Sequence, residues 1–357
     1  MIVFKADQWR RIGQALFKAT GATDANAKRV TESLVDASLV GHDSHGVIRI
    51  VQYIQAIEKG HLNPAAEPVI IKETPTTSLV DGKWTFGQVS GEIAMRKALE
   101  QARTYGIAIA GLTRAYHIGR LGEYVEMASN DGMIAMILAG GFEGLGGASG
   151  NLGVAPFGGA RPAFGTNPIS FGVPEGDKPS VMVDFATSAV AGGKVAVARA
   201  KGVPLPEGCI LDKDGKPTTN AEEFYGGGML LPFGGHKGYG LAVVIELLGR
   251  MLTGADQCRE EPCGGGVYTR SGSIFVAIDP GIFRPFTDFV SATGKFLDHV
   301  RQVPPAPGFK EVLIPGEPEH RTRSLRITEG LSIPESSWQV LQQQAVRYGV
   351  DLTSVMN

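Results

Sequence analysis

The chain has 357 residues, 43% of them hydrophobic, and a net charge of −2. This is enough apolar sequence for one large domain or two ordinary ones, and the mixed charges favour no basic face for nucleic acid or anionic lipid. The sequence has no signal-peptide core, no apolar run near the roughly 18 residues of a membrane span, and no CxxC pair among its three cysteines. We therefore expect a cytoplasmic protein with small-molecule partners.

Apolar spacing predicts three helices in the first sixty residues. The second helix takes Thr23 or Asp24 as its N-cap and ends at Gly41. The third helix begins near Ser44, which is a good N-cap residue. The stretch GHDSHGVIR, Gly41 to Arg49, is then a joint between two helices that carries unusually many titratable side chains.

From residue 68 onward, strands and helices alternate in the sequence pattern. The pattern predicts an extended segment at 68–83, a helix over 88–104, a strand at 107–112, a helix near 119–130, a strand at 133–139, a long loop over 140–168, strands at 169–174 and 180–186, a buried helix over 237–254, a strand at 273–279, and helices near 286–303 and 335–348. This order is typical of an α/β protein.

His45 and Arg49 form the first candidate site. His45 would lie in the first turn of the third helix, where the positive end of the helix dipole favours a neutral imidazole. Arg49, four residues later, would share its face and hold a carboxylate through two hydrogen bonds while His45 exchanges a proton. Spacing alone favours the alternative that Ser44 is only a cap, His45 a joint residue and Arg49 a solvated charge.

Three further polar positions carry weaker signals. His42 and His45 form an HxxH pair that would bind a metal only if another ligand converged on it. His117 lies in a loop between a predicted strand and helix, a common place for ligand contacts. The next residues, GRLG at 119–122, place Arg120 at a helix N-terminus and predict a phosphate site there.

The glycine run at 140–150 imitates a dinucleotide-binding fingerprint through Gly144, Gly146 and Gly150. A Rossmann fingerprint must open a helix and meet an acidic residue about 20 positions later. Here more loop follows, and no carboxylate occurs between Glu143 and Glu175. We therefore reject the Rossmann interpretation.

Two other stretches are typical of ligand-binding walls. Asp184 ends an apolar strand, where a buried carboxylate could orient a histidine. In PFGGHKGYG, Lys237 could reach a phosphate at the start of the buried helix. The alternatives are a strand-end cap and a solvated lysine.

Several motifs together resemble the malate/L-lactate dehydrogenase-like family in order and spacing over nearly the whole chain: GHDSHGVIR, YHIGRLGEY, APFGG, FGTNPISFGVP, VDFATSAVAGGK, KGVPLPEG, FGGHKGYGLA and LIPGEPE. The chain looks closest to the branch that contains hydroxycarboxylate dehydrogenase B. The resemblance implies a non-Rossmann central α/β domain over 76–284 and a helical domain built from 1–75 and 285–357. It also implies a homodimer whose site lies near the subunit interface.

The same resemblance implies roles for individual residues. His45 would be the catalytic acid/base, with Ser44 beside it and Asp184 as its orienting partner, and Arg49 and His117 would face the substrate. Apart from His45 and Asp184, the implied cofactor contacts are Gly119, Arg120, Leu121, Val183, Phe185, Ala186, His236, Lys237 and the turn formed by Gly316, Glu317, Pro318 and Glu319. No metal is implied.

The function expected from this resemblance is hydride transfer between a nicotinamide cofactor and a 2-hydroxy or 2-oxo acid. The cofactor is NAD or NADP, with NAD slightly preferred. The alternatives are a metal-dependent lyase or hydrolase at His42 and His45, a reductase of a cyclic ketimine or a sugar-derived oxo acid, and a family member that binds small acids without turnover. The loop at 140–150 departs from the family pattern, so its contacts are not carried over.

Overall fold

The fold is known from a computed structural model that describes residues 1–141, 153–260 and 262–356. The helices in these ranges are α1 (Ala6–Ala19), α2 (Asp24–Leu39), α3 (Arg49–Glu58), α4 (Gly87–Tyr105), α5 (Gly122–Asn130), α6 (Gly192–Lys201), α7 (Ala221–Tyr225), α8 (His236–Ile245), α9 (Phe286–Arg301), α10 (Glu317–Glu329), α11 (Glu335–Arg347) and α12 (Leu352–Met356). A π-helical segment, Glu246–Met251, continues α8.

The strands are β1 (Ile2–Phe4), β2 (Val69–Glu73), β3 (Thr77–Asp81), β4 (Ile107–Thr113), β5 (Ile134–Gly140), β6 (Ile169–Glu175), β7 (Lys178–Phe185), β8 (Ile210–Leu211), β9 (Pro217–Thr218), β10 (Met229–Leu230), β11 (Gly272–Ile278) and β12 (Leu331–Ile333). Seven of them form one sheet in the order β2-β3-β4-β11-β5-β6-β7. Only β3 and β4 pair in parallel within this sheet. A Rossmann sheet is mostly parallel, so the predicted non-Rossmann α/β class is confirmed.

One hydrophobic core lies between the large sheet and the helices α4 and α5. It joins Ala98 and Leu99 of α4 to Tyr124 of α5 and to Ile137 and Phe275 of the sheet, all of them buried. The first four residues of β4 and of β5 alternate between accessible and buried, which is the two-residue period of a strand covered on one face.

The two ends of the chain meet in a second core. β1 pairs with β12, and Phe4, Trp9 and Trp338 pack ring against ring at 4.8 to 6.1 Å. This arrangement agrees with a helical unit built from both chain ends. The boundary at 75 needs correction, because β2 pairs with β3 and belongs to the large sheet. The two-domain division otherwise remains a prediction.

Most predicted elements are confirmed. They include the three N-terminal helices and the strands at 107–112, 133–139, 169–174, 180–186 and 273–279. The helices α6, α7, α10 and α12, the strands β1 and β12 and the small sheet β10-β8-β9 were not predicted. The predicted turn at Gly316 to Glu319 is the start of α10 rather than a turn. Residues 142–152 of the predicted loop at 140–168, including Gly144, Gly146 and Gly150, lie outside the described residues.

The helix predicted over 237–254 exists, but the prediction that it is buried is only partly correct. Ile245 is fully buried, and Gly249 approaches the backbone of β5 so closely that a Cβ would lie 2.6 Å from Gly140 N. The other flank is exposed and apolar, with Val244, Leu247, Leu248, Met251 and Leu252 accessible in the single chain. Within the described ranges, no helix has the length and hydropathy needed to cross a membrane.

Candidate active site

The centre of the candidate site is the segment Gly41–Gly46, here termed the histidine turn. Thr23 caps α2, since its Oγ1 accepts a hydrogen bond from Asn26 N at 3.1 Å, and Gly41 follows the helix with φ +92°, as predicted for a terminator. Asp43–His45 then forms a single 3-10 turn. The third helix begins at Arg49 instead of near Ser44, because Gly46 is extended and interrupts the helical bonding.

Gly46 lets the histidine turn lie directly against α2. A Cβ at this position would be 2.0 Å from Ser38 Oγ, which no side chain tolerates. The same hydroxyl accepts a hydrogen bond from Val47 N at 3.0 Å. The glycine after His45 therefore fixes where the histidine lies relative to the core.

The half-buried His45 ring has two neighbours. Ser44 Oγ lies 3.0 Å from His45 Nδ1, and the ring stacks on His117 with centroids 5.4 Å apart and planes 23° apart. Burial, followed by the charges of Arg49, His42 and Arg120, lowers the pKa of His45 to about 3. The predicted neutral histidine is thus supported, but its cause is burial and nearby cations, because His45 precedes α3 and does not occupy its first turn.

Arg49 contacts the histidine turn from the first residue of α3. Its Nε donates to Ser44 O at 2.5 Å, and its Nη1 donates to Gln52 Oε1. The side chain contributes to lowering the pKa of both His45 and His117, so its positive charge reaches both rings. Arg49, His45 and His117 are therefore brought together, although the shared helical face predicted for Arg49 and His45 does not exist.

His117 is held by a strained loop after β4. Arg114 and Trp84 adopt positive φ angles of 53° and 59°, and Trp84 N donates to Arg114 O at 2.7 Å. A Cβ on Gly87 would lie 2.4 Å from His117 O, so α4 begins in direct contact with this loop. These contacts place the imidazole beside His45.

Several aromatic and amide side chains behind the two histidines were not predicted. Tyr53 OH lies 2.7 Å from His117 Nδ1, Gln88 Nε2 donates to Tyr53 OH at 2.7 Å, and the ring of Tyr268 lies 5.5 Å from that of His117. Tyr53 follows Arg49 at the four-residue spacing of one helical face, which is the signal that could have found it. No local pattern marks Gln88 or Tyr268, because they come from distant segments.

Asp184 lies at the end of β7, as predicted, but it contacts α5 and not His45. Its Oδ2 accepts a hydrogen bond from Gly122 N at 2.6 Å, and burial raises its pKa. Among the described residues, the hydrogen-bond neighbour of the His45 ring is Ser44. The predicted orienting contact from Asp184 to His45 is therefore not seen in this structure, and the neighbour of His45 Nδ1 is Ser44 Oγ.

Arg120 is a buried ion-pair residue. It is 2% exposed, and its Nη2 lies 2.9 Å from Asp36 and 3.2 Å from Glu126, while Arg323 of α10 binds the same two carboxylates. A phosphate contact from this guanidinium, as predicted for GRLG, would break these pairs. The amide of Gly122 is also occupied, so the helix start at 119–122 offers a phosphate much less than the sequence suggested.

The remaining predicted cofactor residues gather around the end of β7. Phe185 packs edge to face on Phe233 at 5.5 Å, and Phe233 N donates to Thr187 O at 2.9 Å. This contact brings the strand end near His236 and Lys237, which are exposed at the start of α8. On the neighbouring side Met182 N donates to Pro315 O at 3.0 Å, so the Gly316–Glu319 segment also adjoins β7.

His42 meets a single carboxylate, Glu319, with Nε2 and Oε1 3.6 Å apart. In the part of the chain that the structure describes, no three His, Cys, Asp or Glu side chains gather as a metal site. The pair at His42 and His45 therefore lacks the converging ligands that a lyase or hydrolase built on a metal would require.

Comparisons with known proteins agree with this arrangement. The sequence profile of the malate/L-lactate dehydrogenase family matches residues 4–342. The chain is 35% identical to the L-sulfolactate dehydrogenase of Methanocaldococcus jannaschii, covering 98% of both chains, and 35% identical to hydroxycarboxylate dehydrogenase B of Escherichia coli strain K12, covering 97% of this chain and 94% of that protein.

The solved structure of the Methanocaldococcus jannaschii sulfolactate dehydrogenase superposes on the whole chain with a TM-score of 0.89 and 34% identity, covering 100% of both chains. Sequence and fold thus agree over the same length, and the metal-dependent alternative is not favoured. The chain belongs to the malate/L-lactate dehydrogenase family.

Proposed function

We propose that the protein is an NAD(P)-dependent oxidoreductase that interconverts a 2-hydroxy acid and a 2-oxo acid, with His45 as the acid/base. The observation that carries this proposal is the convergence of His45, Arg49 and His117. A titratable ring, a carboxylate-binding cation and a second imidazole are the groups this reaction needs. Family membership supports the hydroxy-acid chemistry.

His45 acts on the hydroxyl proton of the substrate. In the free protein its lowered pKa keeps the ring neutral, so it is ready to accept a proton from a hydroxy acid. A bound carboxylate next to Arg49 offsets the positive charges that lower this pKa, and so it favours the protonated ring that an oxo acid requires. Ser44 Oγ, which can donate or accept, accommodates Nδ1 in both states.

Arg49 binds the substrate carboxylate. Its guanidinium has five N–H donors, and two of them are engaged by Ser44 O and Gln52 Oε1. Among the described residues no other hydrogen bond to this guanidinium is seen, which leaves its remaining donors for an anion. Arg49→Lys keeps the charge but loses the planar fork, so we expect a lower kcat/KM for the best 2-oxo acid. An unchanged kcat/KM would remove Arg49 from the site.

The nicotinamide cofactor supplies or accepts the hydride when it is bound. Residues around β7 fit such a group: Lys237 is exposed at the N-terminus of α8, and no described carboxylate pairs with it. The cation and the helix end together favour a phosphate. Lys237→Ala should weaken NADH or NADPH binding, measured by fluorescence titration, by about 1–3 kcal/mol, the scale of a charged hydrogen bond.

Gly146→Ala is the matched test of the rejected glycine-run cradle and should have much less effect than Lys237→Ala. If Gly146→Ala abolished binding while Lys237→Ala left it intact, the cofactor assignment would be wrong. The choice of NAD over NADP and the cytoplasmic location remain predictions.

A homodimer is supported by the exposed apolar flank of α8 and its π-helical continuation. Val244, Leu247, Leu248, Met251 and Leu252 are all exposed to solvent within this short segment of the single chain. Such a surface is typical of protein interfaces. Sedimentation equilibrium of the wild type should give twice the chain mass, and Leu247→Asp should shift the protein toward monomer.

The decisive experiment is a panel of 2-oxo acids, including a sulfonated and a dicarboxylic member and one cyclic imino acid, assayed with NADH and NADPH. His45→Ala should lower kcat by at least roughly 10²-fold while cofactor still binds. His299→Ala, an exposed histidine on α9, is the control. Near wild-type turnover by His45→Ala would reject the acid/base role, and cofactor binding without turnover of any acid would favour a binding protein.

A further inference from the structure

Three buried polar groups form a chain that ends on His117. Gln88 Nε2 donates to Tyr53 OH at 2.7 Å, and Tyr53 OH lies 2.7 Å from His117 Nδ1. The side chains of Gln88 and Tyr53 have no exposed surface. Neither residue belongs to the candidate set that the sequence indicated.

The direction of the hydrogen bonds follows from the number of protons. Gln88 donates to the Tyr53 oxygen, so the single hydroxyl proton of Tyr53 must find another acceptor. Among the described residues, His117 Nδ1 is the acceptor within hydrogen-bond distance. A neutral imidazole that accepts at Nδ1 carries its own proton on Nε2.

We propose that Tyr53 and Gln88 fix His117 as the Nε2–H tautomer, so that His117 is a permanent hydrogen-bond donor to a substrate oxygen while His45 exchanges the proton. Tyr53 and Gln88 are positioning residues, since they act through His117. This inference rests on the proposed function for the identity of the oxygen, which is the hydroxyl or carbonyl oxygen next to His45.

The two stacked rings differ in their Nδ1 partners. Ser44 Oγ next to His45 is an exposed hydroxyl that can rotate and either donate or accept. The Tyr53 hydroxyl is buried, and the Gln88 amide fixes its direction. Burial, with the charges of Arg49 and His45, also lowers the pKa of His117 well below its ordinary value, which keeps this ring neutral. The site therefore contains two imidazoles: His45, whose Nδ1 partner can rotate, and His117, whose Nδ1 partner is fixed.

Gln88 has a destabilising feature that its packing does not explain. Its Oε1 is buried with no hydrogen-bond partner among the described residues. A buried unsatisfied oxygen is destabilising, and an apolar side chain would avoid the penalty. The need for an amide donor to Tyr53 accounts for a glutamine at this position.

The test is the ¹⁵N NMR spectrum of the full-length protein labelled at histidine, with the His117 signals assigned by their loss in His117→Gln. We expect the wild type without substrate to show protonated Nε2 and unprotonated Nδ1. Tyr53→Phe should give a mixture of tautomers, and Gln88→Glu, whose carboxylate accepts from Tyr53, should move the proton to Nδ1. Both variants should lose at least about tenfold in kcat with the best acid, as expected for a misplaced donor.

Tyr348→Phe is the control, because it removes a hydroxyl that bonds Glu58 on the surface, far along the chain from the site. It should leave both the His117 signals and kcat unchanged. A wild-type spectrum with protonated Nδ1 would overturn the inference, as would a Tyr53→Phe variant with wild-type signals and kcat. The spectrum needs no substrate. If the protein showed the expected His117 tautomer but turned over no acid, the proposed function would be rejected and the inference about the tautomer would remain valid.

Discussion

Two helices contact the histidine turn, and different forces hold them in place. α3, which follows the turn, buries Ile50, Tyr53 and Ile54 completely in the core of the chain ends. α10 has no buried residue at all. It is attached through ion pairs, in which Arg326 binds Asp43 of the turn, Arg323 binds Asp36 of α2, and Glu319 faces His42.

This contrast separates rigidity from adjustability within one site. Apolar burial responds little to salt, whereas ion pairs between half-exposed side chains are weak and screened by salt. The side of the turn that carries Arg49 and Tyr53 is therefore fixed by the core. The side that faces the Gly316–Glu319 segment, where we propose cofactor contacts, is held mainly by ion pairs.

The largest effect should come from matched isoleucine truncations in the two helices. Ile54→Ala opens a cavity in the core and should lower the free energy of unfolding by about 2–5 kcal/mol. Ile327→Ala removes a side chain that is 59% exposed on α10, so its effect should stay within about 0.5 kcal/mol. Urea unfolding of both variants measures the difference, and equal losses would show that α10 is held by apolar packing after all.

Arg326→Gln should lower turnover much more than it lowers the free energy of unfolding. Arg326 binds both oxygens of Asp43, at 2.5 and 3.0 Å, and also donates to Ser38 O, so it fixes the turn that carries His45. Because the pair is partly exposed, the loss of stability should be at most about 1 kcal/mol. The looser turn should lower kcat by about tenfold, since small misplacements of a catalytic group are costly.

Arg321→Gln is the control for Arg326→Gln, since Arg321 lies on the same helix but pairs with the exposed Glu311, which precedes that helix. It should lose little stability and keep its kcat. Two results would show that Arg326 has no specific part in placing the turn. One is a kcat of Arg326→Gln that falls only as far as its loss of stability explains, and the other is an equal loss of kcat in Arg321→Gln.

The same contrast explains what the sequence could predict of the fold. α2 and α3 follow apolar periodicity, so their existence was predictable, and Thr23 and Gly41 marked the ends of α2 correctly. α10 buries nothing and has no apolar stripe, so periodicity could not find it. Its Pro318 near the start and Gly330 after its end were the remaining signals, because proline favours the first helical turn and glycine the end.

The candidate site divides in a similar way. His45, Arg49 and His117 are predictable as local signals, since each stands in a polar joint or loop. The ion pairing of Arg120 is not predictable, because its partners Asp36 and Glu126, and the second cation Arg323 that shares them, come from three separate helices. Tyr53 and Gln88 were missed for the same reason: their role depends on a contact with His117 that only the folded chain creates.

Acidic pH should lower the free energy of unfolding through His45. Its pKa is about 3 in the folded chain and 6.5 by reference, so between these values the unfolded state binds a proton that the folded state does not. Stability is therefore lost as pH falls below about 6.5. His45→Gln removes this proton, so its stability should fall less between about pH 7.5 and about pH 5, measured by urea unfolding. His299→Gln on α9 is the control, and an identical pH dependence in His45→Gln and the wild type would contradict the neutral ring.

The smallest effect should come from Glu319→Gln, which tests the loosest of the ion pairs that hold α10. His42 Nε2 and Glu319 Oε1 are 3.6 Å apart, and both side chains are partly exposed. The contact with His42 lowers the pKa of Glu319, so any stability this contact provides is present above the ordinary carboxyl range and is lost as pH falls through the folded value. Near neutral pH the loss in Glu319→Gln should be under about 0.5 kcal/mol and should shrink further in about 1 M salt. A loss of several kcal/mol that persists in salt would mean that α10 is anchored as firmly as α3, and the contrast between the two sides of the histidine turn would not hold.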